Sequence, residues 1–146
     1  MKFTERELTI AIDLVAKQVH ATSRMVNKLP LRRDVPAWNE LTAFEKYQQK
    51  AGIGEAVLPA LLALPERPTV GAMPSFSDAE YAEAANAAAQ ALLDARQPGA
   101  WDELSERKRK QVARSTEALA RAAVALMPIR QDPDALIVPD NLGGLT

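Results

Sequence analysis

The chain has no cysteine and only one histidine among its 146 residues. Without cysteine there are no disulfides, no thiolate zinc sites, no iron–sulfur clusters and no cysteine nucleophile, and a reducing compartment is compatible with that composition. A lone histidine carries no spacing information, so the sequence supports no Ser-His-Asp arrangement around His20. Charge of one sign is also missing: 18 Lys and Arg against 19 Asp and Glu leave a net charge of −1. No overall field therefore draws the protein to nucleic acid or to an anionic membrane, and any such binding has to be local.

Long apolar runs are lacking too. The longest, residues 56–64, contains Pro59 and falls well short of the roughly 20 residues that cross a bilayer. The opening Met1-Lys2-Phe3-Thr4-Glu5 has no charged-then-apolar layout of a signal peptide. These features predict a cytoplasmic protein with no membrane partner. The G-x-G-x-x-G, G-x-x-x-x-G-K-[ST] and G-x-S-x-G patterns are absent, and Gly143-Gly144 precedes no helix. The sequence thus offers no phosphate cradle and gives no reason to expect a cofactor.

What the chain does have is a pattern of punctuation that recurs. Phe3-Thr4-Glu5-Arg6-Glu7-Leu8 matches Phe76-Ser77-Asp78-Ala79-Glu80-Tyr81 in residue type at all but one position. Each reads as a helix start, with Thr4 or Ser77 as cap, Glu7 or Glu80 reaching back to it, and Phe3 or Phe76 stapled to Leu8 or Tyr81. Further on, Ala37-Trp38-Asn39-Glu40-Leu41-Thr42 parallels Ala100-Trp101-Asp102-Glu103-Leu104-Ser105, and Pro65 parallels Pro128. A repeat of this size is expected from a duplicated supersecondary unit. It divides one domain into copies at 3–65 and 76–128, with a linker at 66–75, a tail at 129–146 and extra length in the first copy at 24–34.

Helices are expected near 5–28, 43–64, 78–96 and 106–127, each stopping before a proline that cannot extend the hydrogen-bond ladder. The predicted fold is all-α: a four-helix domain of two related αα-hairpins with pseudo-twofold symmetry, plus an extended C-terminal tail. In the second helix Phe44, Tyr47, Ala51, Leu58 and Leu61 share a face, while Gly52, Gly54 and Pro59 predict a kink or a break. The alanine-rich third helix is suited to close approach of its neighbours. The fourth has a stripe of Val112, Thr116, Leu119, Ala123 and Leu126. Trp38 and Trp101 are expected to pack between the helices of their own units. In the tail, Leu136-Ile137-Val138 forms a lone apolar clip, and two readings stand: a disordered terminus, or a segment docked on this subunit or another.

Candidate functional residues are few. The first helix is apolar on a wide arc, and Ile10, Leu14 and Met25 on its far side are the candidates for self-association as a homodimer. His20 falls among Asp13, Arg24 and Asn27 on the wheel and reads as a solvated surface residue. Arg107, Lys108, Arg109 and Lys110 oppose the dipole at a helix start, and Arg32 and Arg33 form a second small basic patch. These six are the candidate partner-binding residues. The run reads as a solvated charged face, as a site for an acidic protein partner, or, with less support, as a nucleic-acid contact. The pairs Glu80/Glu83 and Glu103/Glu106 place acids one turn apart, as in helical enzymes that hold magnesium against nucleotide phosphates. Capping and the helix dipole already account for them, so no metal site is expected. The reading that follows is a non-catalytic helical interaction or assembly module, with a nucleic-acid-associated protein and a magnesium-dependent nucleotide hydrolase as alternatives.

Overall fold

The structure, a computed structural model, describes residues 5–26, 36–65 and 74–128, and within them it is all-helical. Its elements are α1 (Glu5–Val26), a 3-10 turn (Trp38–Glu40), α2 (Ala43–Ala63), α3 (Asp78–Arg96), the single-turn α4 (Ala100–Glu103) and α5 (Glu106–Leu126). No described helix is long and apolar enough to cross a membrane.

The helix ends are set by local chemistry. Thr42 Oγ1 accepts from the Glu45 amide at 3.1 Å, and the Glu45 carboxylate accepts from the Thr42 amide at 3.1 Å. Ser77 and Glu80 repeat that exchange at 3.1 and 2.8 Å, and Phe76 meets Tyr81 edge-on with centroids 5.5 Å apart. Ser105 accepts from the Lys108 amide at 3.3 Å, but a lysine cannot return the bond, so α5 starts on half a capping box. Leu64, Gln97 and Met127, each preceding a proline, are all extended, as proline's ring requires of the residue before it. The cap proposed at Thr4, the staple proposed at Phe3, the linker residues 66–73 and the tail lie outside the described residues.

α2 and α5 are in contact, and each also packs on both α1 and α3; the α3–α5 interface is the most extensive. The core they enclose contains Ala11 and Val15 of α1, Val57, Ala60 and Leu61 of α2, Tyr81, Ala84 and Ala88 of α3, and Ala120, Ala123 and Val124 of α5. Alanines face one another across α3 and α5, which lets two helix backbones approach with few large side chains between them.

Of the kink or break expected in α2, the break is not found: the helix runs unbroken through Gly52, Gly54 and Pro59. Gly54 is buried against α1, where an added Cβ would sit 3.6 Å from Ile12 Cδ1, so packing on α1 offsets its low helix propensity. The expected apolar face also divides: Leu61 is buried in the core, whereas Phe44 and Tyr47 face outward.

Candidate functional surfaces

The basic run does not act as a unit. Arg109 turns toward α4, where its Nε donates to the Trp101 carbonyl at 2.9 Å and its Nη2 to the Asp102 carbonyl at 2.8 Å. Its guanidinium carbon also lies 6.0 Å from the Trp101 ring centroid. Carbonyls at a helix end have no intrahelical donors, and Arg109 supplies them. Lys110 sits 3.5 Å from Glu106, an exposed pair one turn apart. Arg107 and Lys110 share the outward face of α5 with Gln111, Arg114, Ser115 and Ala118, where they line an open trough of about 530 Å³. Arg114 therefore lines the trough beside Arg107 and Lys110, whereas Lys108 and Arg109 are not among its lining residues. Arg32 and Arg33 lie outside the described residues.

Below the trough, Arg121 is held in place. It donates to Asp78 at 2.7 Å and to Glu117 at 3.1 Å, with its guanidinium 4.4 Å from the Tyr81 centroid. Those two carboxylates raise its pKa further above an already high value, Asp78 contributing most. Burial pushes the Tyr81 phenol up, and the charge of Arg121 opposes that shift.

No known protein family, curated protein or solved structure matches this chain.

The other surface of interest is on α2. Phe44 is 66% exposed, Tyr47 67% and Leu62 64%. On the helix these positions fall with the exposed Ala51 and half-buried Leu58 on one outward stripe. The wheel shows the stripe but cannot show which of α2's two apolar arcs the core takes. The self-association candidates on α1 are less prominent: Ile10 and Leu14 are half-buried, and the side chain of Met25 lies outside the described residues.

His20 overturns its expected solvated position, being only 5% exposed. Its Nε2 donates to the Pro36 carbonyl at 2.7 Å, Gln49 donates to its Nδ1 at 3.2 Å, and its ring meets Trp38 edge-on at 5.8 Å. Both ring nitrogens are therefore occupied in structural bonds that tie α1 to α2 and to the backbone at Pro36. The polar neighbours on the α1 wheel gave no sign of this, because the groups that cover His20 come from Pro36, Trp38 and Gln49.

Of the acidic pairs, Glu80 is engaged at the Ser77 cap, and Glu80 and Glu83 together border a hollow of about 240 Å³ with Ala63, Pro65, Ala84 and Ala87. Among the described residues no three carboxylate or histidine side chains gather into a metal-sized group.

Proposed function

We propose that this chain is a non-catalytic helical interaction module that pairs with a second copy of itself through the outward face of α2. The observation that carries the reading is the exposure of Phe44, Tyr47 and Leu62 on that one face. The stripe from 44 to 62 spans about 27 Å at 1.5 Å per residue; Glu55, paired with Arg96 at 3.2 Å, interrupts it, and exposed apolar side chains grouped among polar ones mark an interaction site. It is also close to self-complementary. Two antiparallel copies of α2 would set Phe44 near Leu62 of the partner subunit and Tyr47 near Pro59 of the partner subunit, with the midpoint level with residue 53, next to Gly52, and Ala51 beside Glu55 of the partner subunit. Gly52 supports this pairing: a Cβ added there meets nothing within 4 Å, so no packing inside the chain offsets the roughly 1 kcal/mol that glycine costs in a helix.

The same reading includes the finer architecture. The hairpins α1–α2 and α3–α5 descend from one duplicated unit and pack about a pseudo-twofold axis. The recurring caps and tryptophan turns support this, as do the matching positions of α2 and α5 in the packing.

Sedimentation velocity over a range of concentrations tests the reading. A dimer is expected, and Phe44→Glu with Leu62→Glu should leave a monomer of unchanged helical content. A strict monomer at every concentration would reject self-pairing. Dissociation by Ile10→Glu with Leu14→Glu, and not by the α2 pair, would move the interface to α1.

A further inference from the structure

Arg107, Lys110 and Arg114 line the trough on α5 together with Gln111, Ser115 and Ala118, and all of these side chains are exposed. At about 100° per residue the three cations fall along one side of the trough, with Gln111 and Ser115 along the other. Folding does not account for this row. Arg109 serves the carbonyls of α4, and Arg121 is locked to Asp78 and Glu117. Arg107 and Arg114 have no ion pair among the described residues, and Lys110 has only the exposed one with Glu106. Arg107 also stands in the first turn of α5, where a cation opposes the helix dipole.

The charge of the row calls for an anionic occupant, and its spacing selects among anions. Arg107 to Arg114 covers about 10.5 Å at 1.5 Å per residue. A second helix laid alongside brings carboxylates at i, i+3 or i+4, and i+7 level with all three cations. An extended strand turns the same way only at every second residue, so its third carboxylate stands about 13 Å from its first, beyond the end of the row. Nucleic acid fits less well. Three phosphate contacts give a log–log salt slope of only about −2.7, and Glu106 and Glu117 share α5 with the row in a chain of net charge −1.

We propose that the trough is a docking site for an acidic helix of a partner protein, whose carboxylates at i, i+3 or i+4, and i+7 pair with Arg107, Lys110 and Arg114. Gln111 and Ser115 offer neutral hydrogen bonds along the other side, and Ala118 leaves room for the second backbone to come close. Exposed pairs of this kind contribute at most about fivefold each in affinity, so the complex forms and separates readily. The site lies on α5 and does not depend on pairing through α2.

The probe is a stapled helical peptide with glutamate at i, i+3, i+4 and i+7 and no other charge, titrated against the full chain by NMR. Amide shifts should gather at residues 107–118. Raising salt from about 0.1 M to about 1 M shortens the screening length from about 10 Å to about 3 Å and should remove most of the binding. Arg114→Glu should weaken binding about fivefold, and Arg107→Glu with Arg114→Glu by about tenfold or more, at unchanged helical content. Lys108→Glu removes a cation from the same helix but outside the trough, and should change affinity by less than about twofold. An isomeric peptide with its glutamates spread around the helix should bind about tenfold more weakly. Phe44→Glu with Leu62→Glu should leave binding as it is, which separates this site from the α2 face. The proposal is overturned by an absence of shifts on α5, by as large a loss from Lys108→Glu as from Arg114→Glu, or by equal binding of the two peptides. A short DNA duplex that binds at 107–118 more tightly than the peptide would also overturn it and give the surface to phosphates.

Discussion

The two junctions that carry the tryptophans look alike in sequence and are built by different means. At the first, Trp38 is half-buried and its ring meets His20, while the carbonyl of Pro36 accepts from the same imidazole. At the second, Trp101 is only 6% exposed, its amide donates to Asp94 Oδ1 at 3.1 Å, and Arg109 binds the carbonyls that follow. Gly99, the one described residue with positive φ (82°), turns the chain between α3 and α4. The recurring residue is an anchor in both places, but the polar groups that hold it are local to each. A basic residue that looks available in the sequence is consumed at one junction for that reason.

Replacing the anchors should separate the junctions most. Trp101→Ala should cost about 3–5 kcal/mol, the range for a buried aromatic, and Trp38→Ala roughly half of that because its ring is already partly in water. Urea denaturation of both variants measures the difference, and equal losses would show the junctions to be equivalent.

The glycines should follow. Gly99→Ala forces a side chain into the left-handed region and should destabilise by about 1–2 kcal/mol. Gly52→Ala, in open space on α2, should stabilise the isolated chain by up to about 1 kcal/mol. Thermal melts at low concentration would show the two shifts with opposite signs.

A smaller effect should come from completing the second capping box. Lys108→Glu gives Ser105 the reciprocal partner that Thr42 has in Glu45 and removes a cation from a helix start. A gain of about 0.5 kcal/mol is expected in the same urea measurement, and the trough should be untouched.

The smallest is a pH effect. Hydrogen bonds from Thr42, the backbone one foremost, hold the Glu45 carboxyl below its ordinary value, and Lys50 with Lys17 holds Asp13 low against a partial opposing effect of burial. Groups with lowered folded-state pKa stabilise fully above their unfolded values and lose that contribution as pH falls through the folded ones. Acid titration of stability should therefore fall across the carboxylate range, and Glu45→Gln should flatten part of that limb.

Element boundaries were the most legible part of the sequence because caps and prolines act within a turn. The third helix was expected at 78–96 and is found at Asp78–Arg96. The continuity of α2 was not legible, since its low-propensity residues are compensated by α1 through contacts such as Gly54 with Ile12. Of the candidate partner-binding residues, Arg107 and Lys110 face the trough as part of one helical face, but the diversion of Arg109 depends on carbonyls freed by a four-residue helix that no periodicity announced. His20 was misread for the same reason, as its partners lie 16 and 29 residues away.

Pro59 has a dynamic consequence. It brings no N–H to the carbonyl of Glu55, so the ladder of α2 lacks a rung in its C-terminal half while the Thr42 cap secures one end and Leu61 and Leu64 secure the other. A helix pinned at both ends and missing an internal bond opens around that gap, as a local event far below the energy of global unfolding. In hydrogen exchange, the amides of residues 53–56 should therefore trade with solvent ahead of those at 60–63. While that opening lasts, the outward stripe is two short patches hinged at their middle, so a partner that grips its full length also closes the gap in α2.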